Sequence, residues 1–311
     1  MRPSILRLSV LALTIGWASS AHAIFIRDDK AVADYNALAL QAIYQSAGWL
    51  GTVGAGTNFC SGVLIVNDKF LTAAHCVDSN HDGAVDAGKG PGNLAIGFDT
   101  NVPNPVPAGT VEQVFIDPKW STSGGSSQYD VAVLELTVPV LGVDPVAIFL
   151  GTPVGMLGTM IGYGDQGDGL GNALVGANDR LGAQNIIDVG APPDLRTDFD
   201  KPGDPTKSSF GGAAPVDLEG TTAPGDSGGP LYITIGGTAY LVGDLNGGFN
   251  PKGTASQYGD ISKWAPLNDP DNVAFLRSLN QPIQFVPEPA TFALLGSGFL
   301  GLVVMRRKRY T

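Results

Sequence analysis

The sequence predicts an all-β protein: two packed antiparallel β-barrels, then a short C-terminal helix and a second, apolar terminal helix. Three observations lead there. With 43 glycines and 22 prolines in 311 residues and only 15% charged side chains, the chain is turn-rich rather than a helical bundle. From residue 51 onward the apolar residues fall in short runs separated by turn residues. Those runs form two groups, as two packed barrels require.

In chain order, residues 1–23 read as a secretory signal. Arg2 and Arg7 precede an apolar run over 8–17, and Ala21-His22-Ala23 is an Ala-x-Ala cleavage site. Ile24 is then the mature N-terminus. Residues 24–50 form an N-terminal extension. Asp34 is placed to cap a helix through Leu38, Ala42 and Ile43, packed on the barrel or held as a loose arm. The main domain is read as 51–280. Its first strand group is 62–66, 69–73, 93–98, 111–116 and 131–136, with Asn67-Asp68 as a hairpin turn. The second group is 154–164, 184–189, 230–235 and 239–244. Asp269-Pro270 starts a helix through Val273, Leu276 and Leu279. Residues 281–289 read as a linker, and 281–311 as linker plus terminal signal.

Charge narrows the function classes. Between residues 24 and 287 there are 12 basic against 28 acidic residues, a balance of −16. A nucleic-acid partner is excluded on that ground. The two cysteines, Cys60 and Cys76, lie in a chain read as exported, so a disulfide is the default. No other disulfide is available, so the core must supply most of the stability.

Three stretches carry chemistry. Gly225-Asp226-Ser227-Gly228-Gly229-Pro230 offers a serine among glycines, and a serine hydroxyl needs a base to take its proton. Leu71-Thr72-Ala73-Ala74-His75-Cys76 offers that base, since the other histidine after the signal is His81. Tyr129-Asp130-Val131-Ala132-Val133-Leu134 offers a carboxylate to orient the imidazole. In the order His, Asp, Ser, these stretches resemble the chymotrypsin/trypsin-like serine peptidases; the resemblance spans roughly residues 51–279 and implies two packed antiparallel six-stranded β-barrels. Met160-Ile161-Gly162-Tyr163-Gly164 looks like that family's Gly-aromatic-Gly strand opening the second barrel.

The resemblance implies a serine endopeptidase acting on protein or peptide substrates. His75 is base, Asp130 its orienting partner and Ser227 nucleophile, with no organic cofactor required. The N–H groups of Gly225 and Ser227 form the implied oxyanion hole. A cystine joining Cys60 and Cys76 would brace the loop carrying His75. Thr221, six residues before Ser227, takes the position that floors the family's primary pocket. Asn246, Gly247 and Gly248 supply its wall and Ser256 its far side, an uncharged pocket suited to medium or apolar side chains. In the family a new N-terminal amine pairs with the Asp before the serine, here Asp226. Either Ile24 inserts after a detour or another group such as Arg27 serves, and a constitutively folded site is the expectation. Catalytically silent binding or matrix proteins share the scaffold, and an esterase differs only in substrate.

Asp78-Ser79-Asn80-His81-Asp82-Gly83-Ala84-Val85-Asp86 has the first nine positions of an EF-hand-like loop. Asp78, Asn80, Asp82 and Asp86 are the candidate ligands for a structural calcium ion. The twelfth position is Lys89, so the bidentate carboxylate is missing.

At the C-terminal end, Val286-Pro287-Glu288-Pro289, an apolar run over 290–305 and Arg306-Arg307-Lys308-Arg309 resemble a PEP-CTERM sorting signal of Gram-negative bacteria. The resemblance implies export, retention at the envelope through 290–305, and removal by an exosortase-type enzyme with release to the extracellular matrix. A plain membrane anchor is the simpler reading, although 16 apolar residues are short of the roughly 20 that span a bilayer.

Overall fold

The computed structural model describes residues 24–54, 58–100, 108–191, 194–211 and 214–288. The signal peptide read at 1–23 and the membrane helix read at 290–305 lie outside them. Among the described residues no helix is long and apolar enough to cross a membrane.

The first half closes as expected. Strands Ala47–Thr52, Asn58–Val66, Lys69–Thr72, Ala132–Leu136, Gly109–Ile116 and Leu94–Gly97 pair antiparallel in that order, and the last returns to the first. Asn67 and Asp68 make the tight turn, with Val66 opposite Lys69. Inward side chains such as Leu50, Leu64, Phe70, Ile96, Val111 and Leu134 are buried and fill the barrel. Gly97 is required by packing: a Cβ there would lie 2.3 Å from the Trp49 ring. The first barrel strand begins at Ala47, inside the span read as extension.

The second half holds its antiparallel strands in one larger sheet. Its strands run Leu181–Ile186, Leu157–Gly162, Pro230–Ile235, Thr238–Phe249, Ile261–Pro266, Asp194–Asp198 and Val189–Ala191, with Ile148–Phe149 and Phe285–Val286 joined off this path. Among the described residues this nine-stranded sheet has no closing ladder, so the predicted closure of a second six-stranded barrel is not shown. At the seam, only Ile187 and Asp188 separate the two end strands in sequence, and Asp188 N–H is already spent on Arg196 O. The Asn185 side-chain amide, not a backbone ladder, reaches Asp198 O.

The N-terminal segment packs closely rather than hanging loose. Its helix is Val32–Ala39, with Ala31 at the N-cap and Asp34 in the first turn rather than capping. The chain then turns through Ala42–Tyr44. Tyr35 is buried, its hydroxyl donating to Glu219 O at 2.9 Å. Strand Phe25–Ile26 pairs parallel with Gly167–Asp168 and antiparallel with Gly220–Thr221.

Helix Pro270–Ser278 matches its signals: Asp269 accepts from Asp271 N at 2.9 Å, and proline stands in the first turn. The expected linker is partly docked. Ile148 N–H donates to Gln284 O and Leu150 N–H to Val286 O, both at 2.8 Å, laying residues 284–286 along the sheet.

Candidate active site

His75 sits in the 3-10 turn Ala74–Cys76 that follows strand Lys69–Thr72. The Cys60–Cys76 disulfide ties this turn to strand Asn58–Val66 across a Cα–Cα distance of 6.4 Å. The ring's Nδ1 lies 2.7 Å from Asp130 Oδ2, and the His75 N–H donates to Oδ1 at 2.8 Å. Asp130 is wholly buried just before strand Ala132–Leu136, and Asn246 Nδ2 also donates to its Oδ2. Two donors and the imidazole thus fix this carboxylate in place.

Ser227 occupies a turn that glycine makes possible. Gly225 has φ +91 and Gly228 φ +79, a region side chains resist. A Cβ on Gly228 would lie 2.2 Å from Thr72 Oγ1 and 2.5 Å from Ser61 O. That close approach docks the turn against the first barrel. Ser61 N–H donates to Ser227 O at 2.8 Å, and Ser61 Oγ donates to Gly225 O at 3.2 Å. The Ser227 carbonyl stands 3.8 Å from Cys76 Sγ, beside the histidine turn. Among the described residues, no hydrogen bond joins Ser227 Oγ to the His75 ring, a bond that is often loose before substrate arrives. The Gly225 and Ser227 N–H groups donate to no acceptor among the described residues, leaving both available to a bound oxyanion.

Asp226, beside the serine, points inward. Its Oδ1 accepts from Gly164 N at 2.8 Å. Its Oδ2 accepts from Ala223 N at 2.8 Å and from Ile24 N at 3.2 Å. Burial pushes its pKa up to about 7 against the pull of these three N–H groups. Ile24, not Arg27, is therefore the partner. The Arg27 guanidinium is held by Asp29 at 2.7 and 2.8 Å and by Val216 O at 2.8 Å.

A cavity of about 190 Å³ opens beside Ser227. Gly247, Gly248 and Ser256 line it, with Thr222, Ala223, Pro224, Ala255 and Asp260. Thr221 does not; it is buried with its hydroxyl 3.0 Å from Ser262 Oγ. Asn246 turns to Asp130 instead of the cavity. A larger cleft of about 480 Å³, lined by Gln45, Asp144, Gly237 and Gln284 among others, contains none of the residues that gather around Ser227.

Two buried acids near this site gave no sequence signal. Asp260 lines the cavity, and Asp244 lies behind Asp130 with neither carboxylate oxygen hydrogen-bonded. Burial, and then the charge of Asp130, hold the Asp244 pKa well above the usual carboxylate value. Only position within the strand Thr238–Phe249, two residues before Asn246, could have pointed to it.

The candidate calcium residues lie just after His75. Asp78 accepts from Asp82 N at 3.2 Å and Gly83 N at 2.8 Å, and Asp86 from Ser79 N at 3.0 Å. Asn80 and Asp82 bond each other at 3.0 Å, so all four side chains are engaged inside the loop. Cys60, His75 and Cys76 also cluster, but both sulfurs are in the disulfide.

A family model for trypsin matches residues 40–269, well over half of the chain. A second, for the PEP-CTERM protein-sorting motif, matches 285–309. No curated protein matches the chain. The chain belongs to the trypsin family of serine peptidases and carries a PEP-CTERM sorting motif.

Proposed function

We propose that this protein is an exported serine endopeptidase that hydrolyses peptide bonds through an acyl-enzyme on Ser227. The observation that carries the reading is the buried, doubly anchored Asp130 holding the His75 ring at 2.7 Å beside the serine turn. In this reading His75 Nε2 takes the Ser227 proton as the oxygen attacks the carbonyl carbon. Asp130 holds the Nδ1 tautomer and stabilises the imidazolium. The Gly225 and Ser227 N–H groups receive the oxyanion, and His75 returns its proton to the leaving amine. Water, activated by the same ring, then releases the acyl group. Loss of one such oxyanion donor typically costs about 10²–10³ in rate.

Export and sorting complete the proposal. Cleavage after Ala23 frees the Ile24 amine at Asp226, so removal of the signal peptide completes the site. The sorting motif then directs the protein to the Gram-negative envelope, with an exosortase-type enzyme as partner and residues 290–305 as the membrane segment.

A fluorophosphonate probe tests the chemistry. Mature protein beginning at Ile24 should label on one serine, with labelling abolished in Ser227→Ala and slowed strongly in His75→Ala. Folded protein that fails to label would instead favour a silent binding or matrix role.

A further inference from the structure

We infer that Asn272 is a positioning residue for the reaction: its side-chain amide fixes the turn that presents Asp130 to His75. The inference rests on the peptidase reading above and adds to that site a residue from the C-terminal helix.

Asp130 ends the 3-10 turn Ser127–Tyr129, at φ −77 and ψ 64, so the direction of its carboxylate follows the placement of that turn. No side chain caps the start of the turn. Each of its residues is instead held from the second half of the chain. Ser127 Oγ donates to Asp194 Oδ1. Gln128 Nε2 donates to Asp269 Oδ2 at 2.8 Å, and the Tyr129 hydroxyl donates to Asp271 Oδ2 at 3.3 Å. Asn272 Nδ2 donates to Gln128 O at 2.8 Å and to Pro266 O at 2.9 Å. Asp269, Asp271 and Asn272 all stand at the start of helix Pro270–Ser278.

Two features set Asn272 apart. It is wholly buried, and it grips main chain just before Asp130 rather than another side chain. Its Oδ1 is buried with no hydrogen-bond partner among the described residues. A half-satisfied amide is less favourable in an interior than an apolar side chain of its size, so its two N–H bonds are what the amide supplies. Asp271, by contrast, has a side chain 43% exposed and shared with Lys119, and such surface pairs add little. The far end of the clamp matters as well. Pro266 closes strand Ile261–Pro266, which pairs with Thr238–Phe249, the strand that carries Asn246. Asn246 Nδ2 donates to Asp130 Oδ2. Asn272 thus ties the turn before Asp130 to the strand pair that supplies the carboxylate's own donor. Slack at Gln128 O would let Asp130 drift from its 2.7 Å contact with the imidazole, and a displacement of about 1 Å can cost about 10² in rate. Neither residues 127–130 nor Asn272 line the cavity beside Ser227, so the loss falls on the chemical step rather than on binding.

The test measures kcat and KM separately on protein titrated with fluorophosphonate, using a peptide substrate chosen by library profiling. Asn272→Leu keeps the volume and removes both donors. It should lower kcat by about 10-fold or more, with KM within about twofold of wild type, and slow the labelling of Ser227 by a similar factor. Gln128→Ala, at the half-buried face of the turn, should lower kcat by about threefold. Asn268→Ala is the control: its Nδ2 donates to Gly151 O at 2.9 Å, a bond of the same kind that does not touch the Asp130 turn. That variant should lower Tm and leave kcat alone. Unchanged kcat in folded Asn272→Leu, a loss carried by KM, or an equal fall in Asn268→Ala would overturn the inference and leave the peptidase reading intact. If Asn272→Leu does not fold, Gln128→Ala decides: a fall confined to kcat upholds the inference and an unchanged kcat overturns it. Absence of Ser227 labelling in wild type overturns both.

Discussion

Adding a single alanine before Ile24 should switch the enzyme off. Ile24 is wholly buried, with its nitrogen 3.2 Å from Asp226 Oδ2. Strand Phe25–Ile26 is clamped between Gly167–Asp168 and Gly220–Thr221, so the segment cannot slide outward without losing both pairings. Ile24 also has φ +64, a region a β-branched residue rarely occupies. Such strain costs about 1–3 kcal/mol, and cleavage after Ala23 removes that dihedral altogether. The cut converts the N–H into an ammonium facing a carboxyl that burial has pushed up to about 7. The ammonium ionises Asp226 and forms a buried pair.

Removing one partner from such a pair costs about 3–5 kcal/mol. At about 1.4 kcal/mol per decade, this is a loss of about 10²–10³ or more in the population of the ordered site. Protein with a defined Ile24 end, its alanine-extended form and Asp226→Asn should be compared by peptide turnover and by thermal melting. Both altered forms should lose at least about 10² in kcat/KM, with lower Tm. The pH dependence has a defined sign. An α-amine near 7.7–8 when unfolded is raised by Asp226 in the fold. Its contribution is complete below that unfolded value and is lost as pH rises through the folded one. Wild type should therefore show an alkaline limb that the extended form lacks. Full activity and unchanged Tm in the extended form would refute the reasoning.

Opening the Cys60–Cys76 bond, by reduction or by paired serine substitutions, should cost about 3 kcal/mol for its loop of about 15 residues. Calorimetry should show Tm falling by about 6–12 °C for a domain of this size, and no change would sink the estimate. Stability should also fall from pH 5 to pH 8. Glu219 is pushed up to about 8, Asp188 to about 7 and Asp200 to about 6, each chiefly by burial. Their neutral forms suit the fold, so their contribution is full below their unfolded values near 4 and drains away as pH climbs through these raised ones. Urea titrations across that range check it, and a flat or rising profile contradicts it. Asp244→Asn should keep near wild-type activity at neutral pH, whereas Asp130→Asn should lose about 10⁴ in kcat. Steady-state kinetics of the two variants decides whether the two acids differ as described.

The first barrel and the turns that bring His75, Asp130 and Ser227 together were legible for a common reason. Each rests on chemistry local to the chain: the tight turn at Asn67-Asp68, the glycines around Ser227, the cystine beside His75. How the second sheet's end strands meet was not legible, because that depends on which strand ends find each other, and near the seam the Asn185 amide reaches Asp198 O. Nor was the route of the N-terminus. Strand Phe25–Ile26 is two residues long, too short for any periodicity, and its partners lie some 140 and 195 positions away. Asp34 looked like a cap but sits in the first turn, where a carboxylate is equally favourable. Gly247, Gly248 and Ser256 do line the cavity beside Ser227, whereas counting back from the serine selected Thr221, which is buried against Ser262 because the loop does not keep that path.

What the sequence could least convey is the state of its buried aspartates. Four lie around the site, and donors set them apart. Asp130 receives the His75 N–H, the imidazole and the Asn246 amide. Asp226 receives three backbone N–H groups and a future ammonium. Asp260 receives one N–H and keeps an oxygen bare; Asp244 receives none. Two neighbouring carboxylates in a dry interior cannot both ionise, and the one with donors keeps the charge. Asp130 faces the imidazole with two further donors on its oxygens, whereas Asp244 has none, and burial and then the charge of Asp130 hold its pKa well above the usual carboxylate value. In the proposed reading, Asp226 becomes charged when the chain is cut after Ala23. One residue type thus occupies four different settings around one site, and the count of donors around each tells them apart.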